Sequence, residues 1–312
     1  MKRLLCVLMW CCSAVARAQD TSDVEAVRRM VSLSEVVVRS DLNVPRFLQR
    51  IKNDTSYYKA FKNLHILGYT ARNFIELYDK KGRSDASLTS VTRQHVAGGC
   101  RTMEVLEEKV TGDFYDRKRQ YNYYTAQLYD AFFFTRGRIC GETNIVAGSE
   151  HNIAGKKGLD KNKEQLKMLF FRPGQKIPGI PFMGNKLDVF DESIAKHYNF
   201  AIDTSDLNGH PCYVFRIERR PDLTSSERGD IVFDNITTWF DQKTMEIVGR
   251  NYDMSYKAGV YDFDVHMQVE MTKVGEYVVP AVLRYRGNWH LMFKGRERGV
   301  FTARLSDFRL PK

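Results

Sequence analysis

The stretch DFDVHMQVEM, Asp262 to Met271, alternates without a break: Phe263, Val265, Met267, Val269 and Met271 stand against Asp262, Asp264, His266, Gln268 and Glu270. Successive side chains of a strand point to opposite faces, so this ribbon has one oily and one wet surface. An antiparallel sheet solvated on one side has this pattern. The oily side touches either a protein core or a ligand, and the choice between them is the functional question.

The same period of two surrounds the stretch. HPCYVFRIERR, GDIVFDNITTWFD, EIVGRNYDMSY, YVVPAVLRYRG, WHLMFKGR and GVFTARLSDF read as strands, with turn signals such as Asn208-Gly209 between many of them. Earlier in the chain LGYTARNFIELYD, the turn KKGR and ASLTSVTRQHV, followed by CRTMEVLEEKV, form a second meander. Together the two blocks predict roughly ten strands. Helical spacing predicts one helix from about Ser22 to Val38 and a second from Pro45, a good first-turn residue. From about Phe114 to Asn199 the alternation fades, and YNYYTAQLYDAFFF, DKNKEQLKMLFF and DVFDESIAKHYNF read as helical. The expected fold is therefore α+β: a largely antiparallel sheet with N-terminal helices and a helical insertion at about 114–199, in a single domain spanning 19–312.

The first eighteen residues, MKRLLCVLMWCCSAVARA, have a basic start, a short apolar run and an A-x-A pattern at Ala16 and Ala18. This is the form of an export signal cleaved after Ala18. The apolar run is too short to cross a bilayer, and no later segment is long enough, so the mature chain is not expected to span a membrane. The whole chain holds 48 Lys and Arg against 38 Asp and Glu, a formal net charge of +10. That balance suits anionic lipid or acidic glycan, while export argues against nucleic acid as a partner. Beyond the signal stand three cysteines, Cys100, Cys140 and Cys212. One internal bridge at most can form, and a Cys100–Cys140 bridge would close a loop worth about 4 kcal/mol on the chain-entropy model. Three buried thiols fit the sequence equally well.

Catalytic constellations are missing. The chain has no GxSxG elbow, no HExxH and no GxxxxGK[ST] loop, and its seven histidines are scattered without metal-ligand spacing. No cofactor or metal is expected, and the chain reads as a non-enzyme. Cys100, behind Gly98 and Gly99, is the one candidate nucleophile for a hydrolase of unrecognised type, with His95 as its nearby base. Asp262, Asp264 and Glu270 fall on the wet face, where solvation is the default. The run RYRGNWHLMFKGRER, Arg284 to Arg298, mixes cations with Tyr285, Trp289 and Phe293. With Lys294 it offers a basic aromatic face for glycan or protein, the reading of an envelope scaffold module. The loop RPGQKIPGIPFMGN carries Ile180, Phe182 and Met183 among three prolines, and these side chains either pack under the flanking helices or cover a hydrophobic opening.

The hairpin ITTWFDQKTMEIVGRNYDMS, Ile236 to Ser255, contains Trp239, Asp241 and Thr244 in a W-x-D-x-x-T arrangement. With the layout of signal, helix, long strands, interposed helical region and returning strands, it resembles the LolA/LolB-like lipoprotein-carrier superfamily. The resemblance implies an unclosed β half-barrel in the periplasm, whose apolar concave face holds lipid or the acyl chains of a lipoprotein beneath a helical lid. The insertion at about 114–199 has no counterpart in that family. On this reading the lipid contacts are Phe263, Val265, Met267, Val269 and Met271 on the strand, with Ile180, Phe182 and Met183 on the loop. Flexible thioethers at Met183, Met267 and Met271 suit hydrocarbon of variable shape.

Overall fold

The computed structural model describes residues 23–146, 167–177, 180, 183–258, 261–291 and 295–311. The expected export signal and Phe182 lie outside the described residues. A helix, α1, covers 23–30, followed by β1 (Val31–Leu33), α2 (Glu35–Val38), α3 (Val44–Lys52) and α4 (Ser56–Asn63). The first meander is β2 (Gly68–Tyr78), β3 (Ser84–Ala97) and β4 (Cys100–Thr111). Then come α5 (Tyr124–Phe133), β5 (Ile139–Cys140), α6 at 167–171, and α7 (Glu192–Ala195). The second meander holds β6 (Tyr198–Leu207), β7 (His210–Arg219), β8 (Phe233–Asp241), β9 (Ile247–Ala258), β10 (Tyr261–Val274), β11 (Tyr277–Leu291) and β12 (Gly295–Arg309), with α8 (Ser225–Arg228) after β7.

All twelve strands share one unclosed sheet in the order β1-β6-β7-β8-β9-β10-β11-β12-β2-β3-β4-β5. The two meanders are joined where β12 pairs antiparallel with β2, Phe301 opposite Ile75. Only β1 is parallel to its neighbour, β6. The architecture is the expected α+β half-barrel, with β1 and β5 as free ends rather than partners in a closed barrel. Among the described residues no helix is long and apolar enough to cross a membrane.

The opening stretch is β10, and its oily side is the inner one. Phe263, Val265, Met267 and Val269 are 1–3% exposed and Met271 is 9% exposed, all within one contiguous core. Its wet side is tied down by cross-strand pairs: Arg284 donates to Glu270 at 2.5 Å, Arg296 to Asp262 at 2.5 Å, and His266 meets Asp253. These carboxylates are engaged by neighbouring basic side chains and, being partly exposed, add little each to stability. The register slips between Glu270 and Met271, where Met271 faces Pro280 on β11. A proline cannot donate to the ladder, so a bulge is where the sheet accommodates it.

Helices cover the inner face. Asn43 caps α3 by accepting from the Arg46 amide at 3.0 Å, and Pro45 sits in the first turn. The face so presented carries Phe47, Leu48 and Ile51 inward. Phe47 packs its ring against Tyr213, Phe215 and Phe240 at 5.5–6.4 Å. Helix α4 buries Tyr57, Ala60 and Phe61, and Asn63 fixes it to β11 by donating to the Val278 carbonyl at 2.8 Å. Beneath α4, Arg250 lies buried with Asp54 at 3.6 Å, donates to Thr238 at 2.9 Å, and sits over the Tyr57 ring at 4.6 Å. Burial alone lowers the Arg250 pKa, and Asp54 opposes that.

Three expectations change. The single helix over Ser22–Val38 is broken by β1: the Ser34 amide donates to the Ile202 carbonyl at 3.0 Å, and its hydroxyl then caps α2. Pairing with β6 overrides helical spacing there. The stretch DVFDESIAKHYNF holds only the short α7 before β6 begins at Tyr198. The sheet has twelve strands among the described residues rather than ten: YVVPAVLRYRG and the start of WHLMFKGR run on as one strand, β11, while β6 and the two short ends, β1 and β5, are additional.

Candidate functional site

The Trp239-Asp241-Thr244 arrangement is a turn device. The Asp241 carboxylate accepts from the amides of Lys243 and Thr244 at 2.9 and 2.8 Å and from the Thr244 hydroxyl at 3.2 Å. Amide donors of this kind hold the Asp241 pKa below its usual value, the Thr244 amide foremost. The tryptophan is on the outer face, its indole donating to Ser205. These residues shape the hairpin and take no part in an interior site.

The predicted lipid-contact residues other than Phe182 are all buried. Ile180 and Met183 are buried in the same core as the β10 stripe. Of the alternatives, the basic aromatic face separates into two. Tyr285 and Trp289 are buried on the inner side, while Arg286 is exposed on the outer side. Alternation, which the mixed run RYRGNWH follows, sends the rings in and the cations out; Phe293 and Lys294 lie outside the described residues. The Trp289 indole donates to the Tyr285 hydroxyl, and the tyrosine lies across Gly287, where an added Cβ would fall 1.7 Å from that oxygen. The glycine is the space the ring occupies. Cys100 is bonded to Cys140, which takes away the candidate nucleophile. Cys212 is a buried free thiol whose pKa burial pushes up to about 11, far from a reactive thiolate.

A cavity of about 350 Å³ opens at the other end of the inner face, between α4, α5, α6 and the β2–β4 sheet. Its walls are rings: Tyr58 and Phe61 from α4, Phe132, Phe133 and Phe134 at the end of α5, and Phe171 from α6. Phe171 contacts Phe61 at 4.5 Å and Phe132 at 5.3 Å, and stacks on Tyr58 at 6.1 Å. The apolar spacing of YNYYTAQLYDAFFF, which predicts α5, also supplies these walls.

The polar side of the cavity is built with more constraint. Gln94, fully buried, donates to the Leu64 and Leu67 carbonyls at 2.6 and 2.8 Å, fastening the chain after α4 to β3. Its side-chain oxygen accepts from Thr135 at 2.9 Å and from Arg101 at 3.3 Å. Arg101 also bonds Thr135 and grips Glu142 through Nε and Nη2, while His65 reaches the same carboxylate at 3.2 Å. Burial works to raise the Glu142 pKa; His65 and Arg101 outweigh it and bring the group down to about 2. The disulfide pairs Cys100 with Cys140 across β4 and β5, next to Arg101, and thereby sets Glu142 against the guanidinium. Lys62 and Lys167 complete the lining. None of these polar residues figures among the sequence-based candidates. A paired Cys100 and Cys140 is the one sequence signal that brings Arg101 and Glu142 together.

The cavity and the β10 stripe are joined by aromatic contacts. Phe132 meets Phe170 at 5.5 Å, Phe170 meets Tyr285 at 5.9 Å, Tyr285 bonds Trp289, and Trp289 lies 4.9 Å from Phe263. Ring therefore follows ring from the opening to the head of the stripe.

No family model matches the chain, and no curated protein matches it. Among solved structures, a DUF1329 family protein from Desulfovibrio piger is similar over 84% of this chain and 92% of its own, at 8% identity and a TM-score of 0.28. A putative outer membrane lipoprotein-sorting protein domain from Vibrio parahaemolyticus is similar over 83% of this chain and 93% of its own, at 10% identity and a TM-score of 0.28. A structure concerned with lipid–protein interactions in lipovitellin covers 79% of this chain with 25% of its own, at 8% identity and a TM-score of 0.24. The second is of the kind that the Ile236–Ser255 hairpin resembles. Likenesses at these TM-scores carry no argument about this chain, whose half-barrel rests on its own strand order and register.

Proposed function

We propose that this is an exported, non-enzymatic protein of the cell envelope that binds lipid, or the acyl chains of a lipidated partner, inside the half-barrel. The observation that supports the reading is the ring-lined cavity, whose wall residue Phe132 is linked by packed aromatic contacts to the buried β10 stripe. A cavity of this size falls in the range of small-molecule sites, and its lining sets a wall of aromatic rings against a strongly polar side. At about 0.8 kcal/mol per methylene withdrawn from water, sheltering half of a typical acyl chain stabilises the complex by roughly 5 kcal/mol. In this reading the cavity is the entrance, and Ile180 and Met183 cover the stripe until hydrocarbon reaches it.

The test is direct. Protein purified from its producing cells is extracted with organic solvent and the extract examined by mass spectrometry, alongside uptake of a fluorescent fatty acid by stripped protein. Lipid is expected in one assay or both. Phe132→Ala, at a half-buried wall position that leaves the core intact, should weaken uptake several-fold, since a large ring is removed from the contact surface. Protein that neither retains nor takes up lipid overturns the proposal.

A further inference from the structure

We infer that the cavity between α4, α5, α6 and β4 receives an amphiphile with a negatively charged head, its hydrocarbon against Phe132 and Phe171 and its head at Lys62. The inference rests on the lipid-binding reading above and adds the chemistry of the head.

Charge around the cavity is unequal. Among the described residues of the lining, Lys62, Arg101 and Lys167 bring three fixed positive charges, His65 is a fourth basic group, and Glu142 is the single carboxylate. That carboxylate is fully engaged, since two nitrogens of Arg101 and one of His65 hold its oxygens. It is therefore not free to neutralise the remaining cations. Lys167 has a partner within the chain. Lys62 is half-buried at the lining, and among the described residues its ammonium makes no hydrogen bond or ion pair. The ammonium of a half-buried lysine on a wall with seven aromatic rings has no partner of its own, and an anion arriving with its own hydrocarbon would compensate it.

The surrounding framework keeps that ammonium in place. Gln94 fastens the Leu64 and Leu67 carbonyls, immediately beyond the turn of α4 that bears Lys62, and Arg101 braces Gln94 from β4. A head group thus meets a charge on a braced helix end rather than on a loose surface. The outer grooves offer nothing comparable, since their linings lack an aromatic wall of this extent. A neutral head would leave Lys62 unpaired, and a cationic one would add to the excess.

Three ligands with one tail separate the possibilities: dodecanoate, its methyl ester and dodecylammonium, each below its micellar concentration, titrated by calorimetry into the stripped full-length protein. Dodecanoate should bind about ten-fold more tightly than the ester, the size of one charge-assisted hydrogen bond, and the ammonium most weakly. Lys62→Gln should remove the advantage of the acid and leave the ester unchanged, whereas Lys62→Arg should keep it. Equal affinity for acid and ester, or an advantage that survives Lys62→Gln, overturns the head-group inference while the lipid-binding reading stands. Binding of none of the three overturns that reading and the inference with it.

Discussion

The inner face of the half-barrel is two surfaces. Along β10 the inward positions are Phe263, Val265, Met267, Val269 and Met271, and along β2 and β3 they include Asn73, Ser90, Thr92 and Gln94. Both are buried, yet they are satisfied differently. Apolar side chains accept any well-fitting neighbour, so the β10 side fills with helix and loop residues from several directions. Polar ones require partners at fixed distance and angle: Asn73 donates to Ser90 and Thr92 at 3.2 Å and accepts from Tyr129 at 2.6 Å. The covering helices are then held where hydrogen bonds put them, and the ring-lined cavity lies on this side. Packing closes one half, and hydrogen bonding props open the other.

The contrast can be broken most severely at its apolar end. Met267→Glu would place a carboxylate on a position 1% exposed in the core, between Tyr252 and Tyr285 of the flanking strands, at a cost of about 4 kcal/mol or more. Chemical denaturation should show a midpoint shift of that size, whereas Met267→Leu, of similar volume, should cost under about 1.5 kcal/mol. On the polar side the largest lever is the disulfide. Replacing Cys100 and Cys140 by serine should lower stability by up to about 4 kcal/mol, since the bridge closes a loop of sequence separation 40. The same replacement should loosen Glu142 from Arg101, and hydrogen exchange at β5 should rise relative to β10. An unchanged exchange pattern would show that the ion pair positions itself without the bridge.

The smallest expected effect is that of acid. Glu142 has a folded pKa of about 2, depressed from an ordinary 4.5. A depressed carboxylate contributes stability that is present above the unfolded value and lost as pH falls from about 4.5 toward 2. Because the group is partly open to water, screening reduces the effect to on the order of 1 kcal/mol. Glu142→Gln should flatten the pH dependence of stability across that window, as read from denaturation midpoints. A slope equal to that of the unsubstituted protein would mean that other carboxylates carry it.

The difference in satisfaction also explains what could be read from the sequence. Phe263 to Met271 announce themselves because burial on one face alone leaves a period of two, and the meanders follow for the same reason. The strand β3 alternates too, but TSVTRQH puts polar residues on both faces, so nothing marks Ser90, Thr92 and Gln94 as the buried set. Their burial depends on Leu64, Leu67 and Tyr129 arriving from elsewhere in the chain. Arg101 and Glu142 are likewise 41 residues apart and meet through the bridge beside them. Helical spacing carried the first helix through Val31–Leu33 because a three-residue parallel edge strand is defined by its partner β6 and not by its own pattern. The basic aromatic run failed as a single surface for a local reason, its rings and cations alternating across the sheet.

The position of β12 has a consequence for how the molecule assembles. It follows every other strand in chain order, yet it sits mid-sheet, with β11 on one side and β2 on the other. Until it arrives, the early meander and the late one are two separate ribbons, each exposing a raw edge of amides and carbonyls. Joining them couples residues some 230 positions apart, such as Ile75 with Phe301, so closure is slow by the topology itself. Both edges need shielding from stray pairing during that interval, which makes the final ribbon the keystone of the arch.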